Sequence, residues 1–231
     1  VVPRATATVD RTVAGRFGPR RGGRAAASLA VAVGPDAFFA TALADGRWYR
    51  SPRAVPGAVV ALRASAGLSA GPDPQRFYAA GVQTWLNPTF GSLPVEGPDD
   101  FVFATPVLPL RGFGYNEAAG DRVALVNAEA RLPLLAALVP GGLPLPALTA
   151  LQAAAFVDAG VIAQGGLDVW RTPTDSAGVA LPRVLDDVLI GAGAGLRTVV
   201  LGYPLRVDWA APFDGRRFRD ARVYVSVGRD F

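Results

Sequence analysis

The sequence of 231 residues contains no cysteine and no histidine. Their absence removes thiol nucleophiles, imidazole general bases and the ordinary ligands of zinc. Among the residue types that remain, no nucleophile–base pair and no carboxylate pair at an obvious cleft is visible. We therefore expect no enzymatic activity, no bound metal and no cofactor.

Methionine and lysine are absent as well, so every basic side chain is an arginine. The chain opens on Val1-Val2-Pro3-Arg4 and shows no signal peptide. We interpret residues 1–231 as one domain. We expect a signal peptide and further N-terminal sequence to lie outside it. The net charge of +4 comes from arginines scattered singly between apolar residues. This distribution argues against nucleic acid as a partner and favours arginines that face a barrel interior or lipopolysaccharide.

The chain has no uninterrupted apolar run of about 18 residues, the length of a membrane-spanning helix. Its hydrophobic residues, 51% of the total, instead alternate with Arg, Asp, Thr, Ser and Gly. The 27 glycines and 20 prolines favour many strands joined by turns. The composition therefore predicts an all-β chain.

Ten segments alternate over the length needed to cross a bilayer at a tilt. They are residues 3–14, 23–34, 37–49, 56–69, 76–86, 121–132, 152–163, 188–200, 202–213 and 221–231. Small inward residues in 188–200 leave room for something inside. We predict an antiparallel transmembrane β-barrel. The alternative, a soluble β-sandwich or lipocalin-like barrel, would typically have strands of about 5–6 residues.

The links between these segments differ in length. If the last strand ends at the periplasm, the short links at 35–36, 70–75 and near 201 are periplasmic, and those at 15–22, 87–120 and 164–187 are extracellular. The apolar link 133–151 is then periplasmic, and its composition predicts a short helix or a flap at the membrane surface. Aromatic residues near strand ends predict an interfacial girdle formed by Trp48, Tyr49, Trp85, Trp170, Tyr203 and Trp209.

Opposite charges are predicted to meet inside the barrel. Arg111 lies in the long link before segment 121–132, and Gly112 permits a tight backbone turn beside it. Alternation directs Glu129 and Asp158 inward from adjacent strands. A guanidinium inside a barrel requires anionic partners, and Glu129 and Asp158 are suitable partners for such a group.

Three segments together resemble the BamA-type superfamily of outer-membrane assembly and translocation proteins, or bacterial surface antigen family. Leu110–Tyr115 is similar to its Arg-Gly-Phe/Tyr signature, which lies at the tip of an extracellular loop folded back into the barrel. This similarity implies that residues 105–116 lie inside the barrel and that Arg111 reaches Asp158 or Glu129. Phe156–Gly160 is similar to its Phe-x-Asp-x-Gly strand motif. The end of the chain, from Gly193 to Phe231, resembles its last three strands, which close on an aromatic assembly signal. The resemblance covers residues 76–231, whereas residues 1–75 match only in pattern.

The resemblance implies three sets of site residues. The loop motif is Arg111, Gly112 and Phe113; its strand partners are Glu129, Asp158 and Gly160; the assembly signal is Tyr224, Val225, Val227, Gly228 and Phe231. It also implies the C-terminal portion of a sixteen-stranded barrel in a bacterial outer membrane, with periplasmic domains upstream. A reduced ten-stranded barrel is the alternative.

Three functions stay open. The first is assembly of outer-membrane proteins or translocation of polypeptides, with lipid, lipopolysaccharide and nascent outer-membrane polypeptides as partners. The second is a barrel that anchors or exports an upstream enzyme or binding domain, and the third is a simple porin or surface antigen. The sequence upstream of this chain would separate the first two.

Overall fold

Long antiparallel strands dominate the structure, a computed structural model that describes residues 2–15, 17–34, 38–82, 84–88, 105–134, 151–176, 178–200 and 202–228, with the backbone alone at 105–108. The strands are β1 (Arg4–Asp10), β2 (Val13–Gly15), β3 (Gly18–Val33), β4 (Phe38–Arg50), β5 (Val59–Ala70), β6 (Phe77–Ala79), β7 (Thr105–Leu108), β8 (Ala118–Gly120), β9 (Arg122–Pro133), β10 (Gln152–Ala163), β11 (Trp170–Arg171), β12 (Val184–Leu185), β13 (Val188–Val200), β14 (Tyr203–Phe213) and β15 (Arg222–Val227). In these ranges, no helix has the length and apolar character needed to cross a membrane.

The main sheet, which we call the wall, has the strand order β1-β3-β4-β5-β9-β10-β13-β14-β15, and the short β2 pairs beside β3. All neighbours along this path are antiparallel. Its central strands β5, β9 and β10 each have 12 residues. At a rise of about 3.3 Å per residue and a tilt of about 40°, such a strand covers about 30 Å, the thickness of a bilayer core.

The two faces of the wall have the reverse of a soluble protein's polarity. Val126 is 53% exposed while its neighbour Asn127 is 1% exposed, and Val157 and Asp158 differ in the same way at 51% and 0%. On β14, Trp209 is 61% exposed and Asp208 fully buried. At these positions the apolar side chain points outward and its polar neighbour inward, which is the pattern of a membrane barrel and not of a sandwich. The predicted all-β barrel fold is confirmed.

The predicted strand 76–86 is wrong, because β5 pairs directly with β9 and leaves no place for a strand between them. Only Phe77–Ala79 is extended there, as β6 in a small separate sheet of order β7-β6-β8. The residues Phe77, Tyr78, Ala79 and Ala80 are all buried in succession. A wall strand buries every second residue, so this segment packs against the wall and does not form part of it.

Because segment 76–86 is not a wall strand, every link before it lies at the opposite end of the wall from the one predicted. We call the end of the wall where β13 ends and β14 begins the lower end, and the opposite end the upper end. The register places the end of β3, the start of β4 and the end of β5 at the upper end, beside the start of β9. The sides predicted for links 35–36, 70–75 and 15–22 are therefore wrong. Most of link 133–151 lies outside the described residues.

Candidate functional site

The site is built by the chain between β5 and β9. Its described residues, 71–82, 84–88 and 105–121, leave the upper end and lie against the inner face of the wall, and we call them the lumen loop. Apolar loop residues pack on apolar inner-face residues in two clusters. The first cluster joins Phe77, Ala79, Ala80, Leu110 and Phe113 to Val123, Leu125 and Ile162, and the second joins Val82 and Trp85 to Phe156, Ala210 and Tyr224.

Arg111 is clamped to Asp158 by three hydrogen bonds. Its backbone N–H and its Nε donate to Asp158 Oδ2 at 3.0 and 2.7 Å, and its Nη2 donates to Oδ1 at 2.9 Å. The guanidinium also lies over the Phe156 ring, 3.4 Å from its centroid. A two-pronged pairing of this kind fixes orientation as well as position, because both groups are planar.

Glu129 receives three arginines at once. Arg111 Nη1 donates to its Oε2 at 2.9 Å, Arg197 donates to both of its oxygens, and Arg131 Nε donates to Oε1. These side chains come from the lumen loop, β13 and β9, and all of them are buried. A buried carboxylate needs such partners, since an unpaired charge in a low-dielectric interior is costly.

Asp208 on β14 completes the cluster, although the alternation analysis did not single it out as a site residue. It is fully buried and lies 3.6 Å from Arg111 Nη1 and 3.5 Å from Arg206 Nη2. Within the described part of the chain, its two oxygens accept no hydrogen bond. We call the four guanidinium groups of Arg111, Arg131, Arg197 and Arg206 with the three carboxylates of Glu129, Asp158 and Asp208 the ion cluster.

The guanidinium of Arg111 stays positively charged within the ion cluster. The carboxylates of Asp158, Glu129 and Asp208 lie 2.7, 2.9 and 3.6 Å from the Arg111 guanidinium, and an arginine keeps its charge in proteins. The cluster therefore suits the fixing of a loop and not the transfer of protons. Among the described residues, no group of three side chains is arranged to hold a metal ion.

We call residues 109–113 the loop tip, and hydrogen bonds hold it along its whole length. Asn127 Nδ2 donates to the Pro109 carbonyl at 3.0 Å, and Leu110 exchanges two backbone hydrogen bonds of 3.0 Å with Gly81. The Gly112 N–H donates to the Tyr224 hydroxyl at 2.7 Å, and that hydroxyl donates to the Phe113 carbonyl at 2.8 Å. The tip is thus tied to β9, to β10 and to the last strand of the wall.

Glycines on the inner face create the space for this tip. A Cβ at Gly191 would overlap the carbonyl oxygen of Arg111, and one at Gly160 would lie 2.7 Å from Leu110 Cδ1. Gly112 itself has a φ of +105°, a conformation that L side chains rarely adopt. Gly160 therefore provides space for Leu110 beside Asp158. The prediction that Gly160 is a partner of Arg111 is wrong.

The structure brings Arg111, Glu129 and Asp158 together, with Gly112 and Phe113 held at Tyr224. Of the predicted assembly signal, Val225 and Val227 use their backbone at the outer edge of β15, and the Gly228 N–H donates to the Pro204 carbonyl. Phe231 lies outside the described residues.

The predicted aromatic girdle is partly wrong. Trp48, Trp170, Tyr203 and Trp209 are exposed, but Tyr49 and Trp85 are buried. Trp48 and Tyr49 are consecutive in β4, so only one of them can face outward.

Fold and site together define a class: a section of a transmembrane β-barrel wall with one loop fixed inside it. No family model and no curated protein matches the chain. Among solved structures, the chain is similar to the crystal structure of BamA from Haemophilus ducreyi lacking POTRA domains 1-3, with a TM-score of 0.58 and 14% sequence identity. The similarity covers 97% of this chain and 42% of that one, so this chain spans less than half of the protein it resembles. It shows a BamA-like barrel fold.

Proposed function

We propose that this chain is the C-terminal part of a bacterial outer-membrane barrel that assembles outer-membrane proteins or translocates polypeptides. The observation that carries the proposal is the ion cluster, through which Arg111 fixes the lumen loop against the inner wall. The BamA-like fold supports the same assignment.

The ion cluster favours this function over a simple porin. A porin keeps charged side chains in contact with water along an open channel. Here the charged residues of the ion cluster are buried beside the lumen loop, and its three carboxylates offset three of its four guanidinium charges. A barrel whose interior is occupied in this way is better suited to pairing with a polypeptide at a strand edge than to passing solutes through a pore.

The edge of the wall is where the barrel could pair with another polypeptide strand. Among the described strands, β1 and β15 are the outermost members of the main sheet. An edge strand presents backbone N–H and C=O groups that can pair with an added strand. A nascent outer-membrane polypeptide is the partner that fits this chemistry, and lipid and lipopolysaccharide fit the apolar outer face.

The function is tested by reconstituting the full-length parent protein in liposomes and adding a urea-unfolded outer-membrane barrel as client. Folded client is measured by its shifted gel mobility without heating. We expect the client to fold faster than in empty liposomes. Arg111→Ala should lose that acceleration, whereas the exposed control Arg53→Ala should keep it. Ion conductance without acceleration would support a porin, and a tethered catalytic domain without acceleration would support an anchor.

Location is tested separately by cell fractionation. The full-length parent should sediment with the outer membrane and require detergent for extraction. Its recovery as a monodisperse protein without detergent would overturn the membrane assignment.

A further inference from the structure

A small cavity of about 160 Å³ lies at the lower end of the wall, against its inner face. The β2–β3 hairpin contributes one side of it, and the inner face of β5, β9 and β10 contributes the other. The lining residues that matter here are Gly18 and Arg20 from the hairpin and Val59, Arg131 and Gln152 from the wall. None of β3, β5, β9 and β10 is an outermost strand of the described sheet. We call this space the mouth cavity.

The polar side chains around the mouth cavity are basic or neutral. Arg131 and Gln152 are 2% and 4% exposed, whereas Arg20 is exposed. A Cβ at Gly18 would lie 3.7 Å from Arg131 Nη1, so the guanidinium of the wall reaches the hairpin. Among the described lining residues there is no carboxylate. The mouth cavity therefore brings two guanidinium groups to one small space.

The charge of Arg131 is shared out unequally within the ion cluster. Among the described residues its ion pair is with Glu129, and the same carboxylate also binds Arg111 and Arg197. Over the whole ion cluster, four guanidinium groups face three carboxylates. A buried surplus of positive charge is costly. An anion in the mouth cavity would offset it from the side of Arg131 that faces the hairpin.

Gln152 adds a polar group that is itself in need of a partner. Its Oε1 is buried and accepts no hydrogen bond from any described residue. Buried polar atoms in folded proteins nearly always bind protein, water or a ligand. A carboxamide turned by 180° presents an N–H in place of the oxygen, so this side chain can bind either an acceptor or a hydroxyl. The group that binds beside Arg131 therefore contacts Gln152 as well.

The volume and the arrangement of these groups limit the ligand. A water molecule takes about 30 Å³ in the liquid, so the mouth cavity has the volume of about five waters. That volume admits one small anion and excludes a whole nucleotide. The polar groups come from three separate elements, the hairpin, β9 and β10. A tetrahedral anion presents oxygens in all of these directions, whereas a carboxylate has two oxygens in one plane.

We propose that the mouth cavity is a binding site for a phosphate group, carried by inorganic phosphate or by a small phosphate monoester. Its anionic oxygens accept hydrogen bonds from Arg20 and Arg131. The Gln152 carboxamide binds a phosphate hydroxyl through Oε1 or, when turned, donates to a phosphate oxygen. The bound anion offsets the surplus charge of the ion cluster and joins the β2–β3 hairpin to the wall.

Calorimetric titration of the full-length parent protein in detergent tests binding. The probes are inorganic phosphate, glycerol phosphate and acetate, at equal ionic strength and in a buffer without phosphate. Arg20→Ala should weaken the binding of inorganic phosphate by about tenfold, because it removes a charge-assisted hydrogen bond. Arg21→Ala is the matched control, since Arg21 is an exposed arginine beside Arg20 that does not line the mouth cavity, and it should bind like wild type.

Gln152→Glu tests the charge balance with a change of opposite sign. The substitution keeps the size of the side chain and places a carboxylate beside Arg131 and Arg20. We expect a higher thermal unfolding midpoint than wild type in the absence of phosphate, and no phosphate binding. Gln152→Leu removes the polar group without adding charge, so it should weaken phosphate binding without raising the midpoint.

Binding of inorganic phosphate alone would support the proposal with the free ion as the ligand, and binding of glycerol phosphate as well would support it with an ester as the ligand. An absence of saturable phosphate binding, equal affinities of Arg20→Ala and Arg21→Ala, or tighter binding of acetate than of phosphate would overturn it. None of these measurements depends on whether the parent protein accelerates client folding, so this proposal and the proposed function can fail separately.

Discussion

The hydroxyl of Tyr224 joins the last strand of the wall to the tip of the lumen loop, accepting a hydrogen bond from the Gly112 N–H and donating one to the Phe113 carbonyl. Tyr224 is fully buried, and its ring packs on Trp85 of the lumen loop. One side chain of β15 therefore contacts the loop at its tip and at Trp85. Movement of β15 and movement of the loop are mechanically linked through this residue.

Tyr224→Phe should loosen the loop tip without removing the packed ring. The Gly112 N–H would lose its acceptor in a buried place, which costs about 1–3 kcal/mol. The expected result is faster cleavage of the lumen loop by protease and a lower unfolding midpoint in detergent. Tyr203→Phe is the control, because its ring is exposed on the outer face. Equal effects of both substitutions would show that the hydroxyl of Tyr224 does not hold the loop.

Arg111→Ala should release the lumen loop more completely. Glu129 would keep Arg131 and Arg197, but Asp158 would lose the guanidinium that binds both of its oxygens. Removing one partner of a buried ion pair costs about 3–5 kcal/mol. Protease sensitivity of the loop and the urea midpoint of the detergent-solubilised protein measure the effect, with Arg53→Ala as the matched surface control. A wild-type midpoint would mean that the cluster does not contribute to stability.

A charge swap at this pair should fail to restore stability. Arg111 Nη1 lies 2.9 Å from Glu129 and 3.6 Å from Asp208, so an aspartate at position 111 would face two carboxylates. Arg111→Asp with Asp158→Arg is therefore expected to be no more stable than Arg111→Ala alone. Replacing the pair by Arg111→Met and Asp158→Leu should cost less than the sum of the two single changes. Recovery by the swap would show that Glu129 and Asp208 contribute little to the field at Arg111.

Gly191→Ala should displace the loop by a steric route that leaves every charge in place. A Cβ there would overlap the backbone carbonyl of Arg111, and backbone cannot move aside as a side chain can. Gly166→Ala is the matched control, since nothing lies within 4 Å of the Cβ position there. We expect loop cleavage by protease to increase for Gly191→Ala alone. Comparable cleavage of both variants would contradict the close approach of Arg111 to β13.

The turn between β14 and β15 should respond to acid. The Arg217 and Arg216 N–H groups donate to the carboxylate of Asp214 at 2.9 Å, and these bonds together with Arg219 lower its pKa below the ordinary 3.8. A lowered folded pKa means that the stabilisation is complete above 3.8 and is lost as the pH falls through the folded value. Carbon NMR of the Asp214 carboxyl should give a midpoint below 3.8, with the amide shifts of residues 216 and 217 following it. Asp214→Asn should abolish that amide titration, and a midpoint at or above 3.8 would contradict the prediction.

The sequence was sufficient to predict the inner wall because period-two alternation is local. Each of Glu129, Arg131 and Asp158 is followed or preceded by an apolar outward residue, so the strand itself decides which way the charge points. The same rule places Arg197 and Asp208 inward. Their membership of the ion cluster was missed because it depends on the register between β10, β13 and β14, which a single sequence does not specify.

Residues 76–86 show where alternation fails. Their apolar character predicts a wall strand, but Phe77, Ala79, Ala80, Val82 and Trp85 are buried because the lumen loop packs on the inner face. Composition cannot distinguish a residue that faces lipid from one that packs inside the barrel. Asn87 carried no signal of its own, because its side chain accepts the Val225 N–H, more than a hundred positions away along the chain.

The contacts of the lumen loop also imply an order of folding. Arg111 is 18 positions from Glu129 and 47 from Asp158, whereas Gly112 is 112 positions from Tyr224 and Asn87 is 138 from Val225. Shorter closures lose less chain entropy and form sooner. The loop is therefore expected to settle against β9 and β10 before β15 arrives, so that the final strand meets a surface already shaped to receive it.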